Sequence, residues 1–99
     1  MNIDIDVNYP VTRNHEAETA LALSVATGIA GPAAVDGNLP PMMGGEDFSY
    51  MLQQRPGAFI FVGNGDTAGL HNPAYDFNDE IIPSGISYWV ALAETTLAA

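Results

Sequence analysis

Polar and apolar residues alternate strictly at the start of the chain. Ile3, Ile5, Val7 and Tyr9 interleave with Asn2, Asp4, Asp6 and Asn8. A period of two predicts a strand with one dry face and one wet face, and Pro10 ends it. The period then changes. Ala17, Leu21, Val25 and Ile29 recur every fourth residue and predict a helical stripe. Asn14 is placed to cap that helix, Glu16 and Glu18 suit its positive end, and Gly31-Pro32 stops it. A looser stretch follows, with Gly37, Pro40-Pro41 and a short extended piece near residues 39–43. Glu46 or Asp47 begins a second, shorter helix with Phe48, Met51 and Leu52 on one side. Arg55-Pro56-Gly57 reads as a turn. Residues 58–62, Ala-Phe-Ile-Phe-Val, are apolar throughout, as in a strand covered on both faces. A loop from Gly63 to about Asn78 carries His71. Pro83-Ser84 opens the last helix, with Ile86, Trp89, Val90, Ala93 and Leu97 as its expected buried stripe.

The two predicted strands have different surroundings. One is amphipathic, and the other is apolar on every side. They belong to two different sheets of an α/β protein, with a boundary near Pro40-Pro41. Two strands and a short extended segment are too few for a self-standing sheet. The chain therefore reads as a piece of a larger fold.

Composition narrows the partners. Twelve Asp and Glu face two Arg and no Lys, giving a net charge of −10 across 99 residues. Nucleic acid is excluded as a partner, because its binding depends on cationic side chains displacing phosphate counterions. Anionic membrane surfaces are excluded for the same reason. There is no cysteine, so no disulfide and no thiolate metal site. No apolar run reaches membrane-spanning length, and Met1-Asn2-Ile3-Asp4 does not resemble a signal peptide. A cytoplasmic location is expected.

Two segments carry candidate chemistry. His71 follows the apolar strand, at the strand end where open α/β sheets place ligands. An imidazole there is either a metal ligand or a surface-loop residue without a partner. One histidine is not a metal site, since zinc takes three or four protein ligands. Gly44-Gly45-Glu46-Asp47 is the second segment. Paired glycines admit a ligand close to the backbone, and a helix start behind them suits a carboxylate. The alternative is plain helix capping by Glu46 or Asp47. Asp76, Asn78, Asp79 and Glu80 lack the spacing of a calcium loop and read as a solvated turn. His15 reads as an exposed polar residue. No serine sits in a recognisable nucleophile arrangement.

Taken in order, Met43-Gly44-Gly45-Glu46-Asp47-Phe48, Arg55-Pro56-Gly57, Gly63, Leu70-His71-Asn72-Pro73, Phe77-Asn78-Asp79-Glu80 and Gly85 form a set. This set resembles the C-terminal end of bacterial N-acyl-amino-acid amidohydrolases, the group of hippurate hydrolase within the aminoacylase and carboxypeptidase G metallopeptidases. Val7-Asn8-Tyr9-Pro10 followed by Asn14 resembles the strand and helix of that family's smaller domain. The resemblance implies a two-domain metallopeptidase-like fold, with a ferredoxin-like lid set into an α/β catalytic domain. Residues 1–41 would end the lid, which in the family mediates homodimers, and residues 42–99 would end the catalytic domain. It implies two divalent metal ions, zinc or manganese, and hydrolysis of the amide bond of small N-acyl amino acids such as hippurate. His71 would be the last metal ligand, giving at most one partial site here. Gly44, Gly45 and Glu46 would lie at the substrate. The family's cysteine ligand, its other ligands and its glutamate base have no counterpart in this chain, which alone is expected to be inactive. The rival expectations are a non-catalytic segment and an acidic calcium-binding module.

Overall fold

The structure is a computed structural model that describes residues 1–98. Three α-helices are present: α1 (Glu16–Ala30), α2 (Phe48–Gln54) and α3 (Ile82–Leu97). Single 3₁₀ turns cover Pro32–Ala34 and Asp79–Ile81. All three helices fall where the periodicity puts them. Gly31 ends α1 at φ +82°, a left-handed value that glycine adopts without strain, and its N–H bonds the Thr27 carbonyl.

Among the described residues there is no strand, which departs from the expected α/β sheet. Residues 3–9 and 58–62 carry no regular structure. The reason is physical: a strand needs a neighbour to receive its backbone hydrogen bonds, and no neighbouring strand is supplied. Ile3, Ile5 and Val7 accordingly stand in solvent.

Side chains substitute for the missing neighbour at one place. The Asn14 amide donates to the Phe59 carbonyl at 2.9 Å and accepts from the Phe59 N–H at 2.8 Å. His15 repeats the pattern one step on. Its backbone N–H donates to the Gly57 carbonyl at 3.0 Å, and Gly57 N–H donates to His15 Nδ1 at 3.1 Å. Asn14 was expected to cap α1, and His15 to be a free polar residue. Instead His15 occupies the cap position without a side-chain cap bond, and both side chains bind residues 57–59. The bland reading of His15 is thus corrected.

α2 packs from the other direction. Phe48 meets Phe59 at 5.5 Å between ring centres, and Phe59 meets Phe61 edge-on at 5.2 Å. Leu52 and Ser49 are buried, while Met51, expected beside them, is exposed. Gly57 has no room for a side chain without pressing on Leu52. The N-terminal segment is tied to the opposite side of α2. Tyr50 donates its hydroxyl to the Asn8 carbonyl, and the Tyr9 and Tyr50 rings are 6.1 Å apart.

α1 packs on α3, across the domain boundary expected near residue 41. Ala22 and Val25 are the buried positions of α1. On α3 the half-buried positions are Gly85, Tyr88, Ala91 and Leu92. The stripe expected to be buried faces outward: Trp89 is 67% exposed and Leu97 81%, with Ile86 and Val90 also exposed. α3 therefore has two apolar faces and uses the less apolar one. The whole molecule is open. It exposes 8331 Å², where a compact chain of this mass exposes roughly 5,400 Å². Its radius of gyration is 16.4 Å, against about 13 Å for a compact chain of this length. Among the described residues, no helix is long and apolar enough to cross a membrane.

Replacing Asn14 by Ala removes both bonds to Phe59. The site is exposed, so water partly compensates, and a loss of about 1–2 kcal/mol is expected in urea unfolding. Tyr88 supplies a pH test. Burial pushes its phenol above the ordinary value of 10.0. The unfolded chain therefore releases this proton first, so stability is intact below about pH 10 and falls as pH rises further. Tyr88→Phe should lose less stability than the parent chain over that alkaline range, as read by unfolding midpoints.

Candidate functional site

His71 is positioned by two consecutive turns. Asn72 N–H bonds the Gly69 carbonyl at 3.1 Å, which makes Leu70 and His71 the central pair of the first. Tyr75 N–H bonds the Asn72 carbonyl at 2.9 Å, with Pro73 as the stiffening second residue of the next turn. The Asn72 side chain accepts from Ala74 N–H at 2.9 Å and tightens the same bend. His71 takes φ +67°, the one non-glycine residue with positive φ among the described residues. That left-handed backbone crowds Cβ against the carbonyl. His tolerates it better than most residue types.

The base of this loop is closed by two asparagines. Asn64 Oδ1 accepts from Asn78 N–H at 2.7 Å, and Asn64 Nδ2 donates to the Asp76 carbonyl at 2.8 Å and to Thr67 Oγ1 at 3.0 Å. Asn78 in turn accepts from Glu80 N–H and caps the 3₁₀ turn that leads into α3. Asn64 thus latches the loop expected from Gly63 to about Asn78.

Glu46 and its glycines come from the start of α2. Glu46 Oε1 accepts from Phe48 N–H at 3.2 Å, so this half-buried side chain serves as a cap. Asp47 takes the backbone cap position without a side-chain cap bond. The two glycines differ. A Cβ on Gly45 would lie 3.0 Å from the Tyr9 ring, whereas Gly44 has nothing within 4 Å. Packing accounts for Gly45, and Gly44 stands open.

These pieces meet at one cavity of about 790 Å³, mostly apolar in lining, which His71, Gly44, Gly45 and Glu46 all border. Its size lies in the range of small-molecule sites, roughly 300–1,000 Å³. Asn14, Thr12 and Tyr88 also border it, and none of the three stands out as a site residue in the sequence. Thr12 Oγ1 is buried without a hydrogen-bond partner. No local signal marks them, because what brings them here is the packing of α1 on α3 and the grip of Asn14 on Phe59, 45 positions away.

The donor set is incomplete for a metal. Among the described residues, no group of three or more His, Asp or Glu side chains could hold an ion. The acidic residues 76–80 form no such group among the described residues. His71 contributes one imidazole, and the chain's own residues do not fit a complete metal centre.

Comparison with known proteins places this chain in a family. The family model of Peptidase family M20/M25/M40 matches residues 1–95. A hippurate hydrolase of Campylobacter jejuni is 32% identical over 93 residues, which cover 94% of this chain and 24% of that protein. An N-acetyldiaminopimelate deacetylase of Streptococcus suis is 31% identical over 90 residues, 87% of this chain and 23% of its own length. An IAA-amino acid hydrolase of Arabidopsis thaliana is 38% identical over 60 residues, 56% of this chain and 14% of its own. The chain thus spans about a quarter or less of the length of these relatives. No solved structure matches it significantly. The family model matches across nearly the whole sequence: this chain belongs to the peptidase family M20/M25/M40.

Proposed function

We propose that this chain forms part of an amidohydrolase that cleaves the amide bond of small N-acyl amino acids. Its relatives carry names of that kind: hippurate hydrolase, N-acetyldiaminopimelate deacetylase and IAA-amino acid hydrolase. In this reading the complete enzyme is a two-domain α/β metallopeptidase with two divalent metals, zinc or manganese. His71 supplies one imidazole ligand, and the other ligands and the general base come from the rest of the fold. Gly44 offers open backbone to the substrate, and Glu46 holds the turn that presents it. Homodimerisation through the lid belongs to the same proposal. In the same proposal, residues 1–41 end the lid and residues 42–99 end the catalytic part; α1 of the first stretch packs on α3 of the second.

The observation that carries this reading is the backbone of His71. A left-handed residue costs about 1 kcal/mol or more unless it is glycine. The loop keeps a histidine there, beside a cavity shared with Gly44 and Glu46. Strain retained at a cavity is a mark of chemistry rather than packing.

The decisive comparison uses His71→Gly. Folding stability of this variant should equal or exceed that of the parent, since glycine relieves the strain. Hydrolysis of hippurate by the assembled enzyme, followed as free amine with zinc or manganese supplied, should drop by at least about a thousandfold. Full activity in that variant would remove His71 from the site. The chain alone should be silent in the same assay. Turnover by the chain alone, lost in His71→Ala, would overturn the reading. The glycines separate as well. Gly45→Ala should cost about 1 kcal/mol of stability by pressing on Tyr9. Gly44→Ala should leave stability unchanged and raise KM.

A further inference from the structure

Of the seven asparagines in the chain, Asn64 alone precedes a glycine. That neighbour matters chemically. The side-chain amide of asparagine is open to attack by the next backbone nitrogen, and a glycine there offers no Cβ to hinder the approach. Asn72 precedes Pro73, whose nitrogen has no proton to give up. Gly65 is exposed and takes φ +91°, and its N–H makes no hydrogen bond among the described residues. The nucleophile is therefore free, but the group it would attack is held. Asn64 Oδ1 accepts from Asn78 N–H at 2.7 Å, and Nδ2 donates to the Asp76 carbonyl at 2.8 Å and to Thr67 Oγ1 at 3.0 Å. These bonds commit the amide to residues 67–78. Attack needs the reacting atoms about 3–3.5 Å apart and aligned, so Cγ must first be released to turn onto Gly65.

We infer that Asn64 is a site of spontaneous deamidation, gated by its own hydrogen bonds, and that the reaction permanently unlatches the His71 loop. The Gly65 nitrogen gives up its proton and bonds to Asn64 Cγ. The Cγ–Nδ2 bond breaks, and Nδ2 leaves with a proton as ammonia. Water then opens the cyclic imide. Cleavage between the nitrogen and Cγ gives aspartate, and cleavage between the nitrogen and the backbone carbonyl carbon gives isoaspartate. One water is consumed and one ammonia released, with no change of oxidation state. The product does not rebuild the latch. An oxygen replaces the Nδ2 donor opposite the Asp76 carbonyl, so acceptor meets acceptor. The new carboxylate also joins Asp76 and Asp79, which border one hollow with Thr67, in a chain that already carries −10. Isoaspartate further adds a methylene to the main chain at the latch itself. The inference does not rest on the proposed reaction.

The test is ageing of the purified 99-residue chain in mildly alkaline buffer, with and without urea, followed by peptide mass mapping and isoaspartate titration. The amide-to-acid mass change should appear first at Asn64. Conversion in the native chain should be at least about tenfold slower than in the urea-unfolded chain, because it waits on local opening. Thr67→Ala deletes one partner of Nδ2. It should speed native conversion by about fivefold, the weight of one such hydrogen bond, and leave the rate in urea unchanged. Asn64→Asp reproduces one product directly. Hydrogen exchange at Asn78 N–H should quicken in that variant by about tenfold, while exchange at Val25 within α1 stays as in the parent. Conversion that begins at another asparagine would overturn the inference. Equal rates in native and unfolded chains, or a Thr67→Ala chain no faster than the parent, would remove the gate and overturn it as well. Unchanged exchange at Asn78 in Asn64→Asp would do the same for the unlatching.

Discussion

Everything in this chain that approaches a site depends on two side chains holding an isolated extended segment. Asn14 and His15 exchange paired hydrogen bonds with Phe59 and Gly57. Each pair copies what a neighbouring strand would give: one donor and one acceptor in register. The segment so held carries Phe59 onto Phe48 of α2 and delivers the chain into the loop of His71. Through α1 the same clamp reaches α3. α2 and the N-terminal segment also meet through Tyr9, Tyr50 and Asn8.

The helices were legible in the sequence and the strands were not, for one reason. A helix satisfies its backbone within itself, so spacing, Gly31-Pro32 and Pro83 suffice to place it. A strand is defined by its partner. Residues 3–9 and 58–62 have strand composition and remain unpaired. The stripe on α3 failed differently. Hydrophobicity favours Ile86, Trp89 and Val90, yet the half-buried positions of α3, which packs on α1, are Gly85, Tyr88, Ala91 and Leu92. A helix with two apolar faces does not say which neighbour comes first, and the more apolar face is the one left open.

The candidate residues His71, Gly44, Gly45 and Glu46 are picked out in the sequence by residue type and neighbours, and they border one cavity; their roles there belong to the proposal. What the residues do individually needed geometry. Gly45 is small because Tyr9 lies on it, and Glu46 is occupied with Phe48 N–H. Asn14, Thr12 and Tyr88 gave no local signal, because their place at the cavity follows from contacts far apart in sequence. Asparagine recurs as the connecting residue. Asn14 grips one backbone segment and Asn64 another, each with one amide acting as donor and acceptor at once.

Under the ligand role proposed for His71, two filters act on what occupies that left-handed position. The backbone admits glycine, asparagine, aspartate and histidine far more readily than any branched or bulky residue. Metal coordination draws on histidine, aspartate, glutamate and cysteine. Only histidine and aspartate pass both. Aspartate would add another negative charge to a chain that already carries −10, and it would exchange a neutral nitrogen donor for an anionic oxygen. The choice of residue at this position is therefore narrowed by the shape of the main chain before any chemistry is asked of the ring.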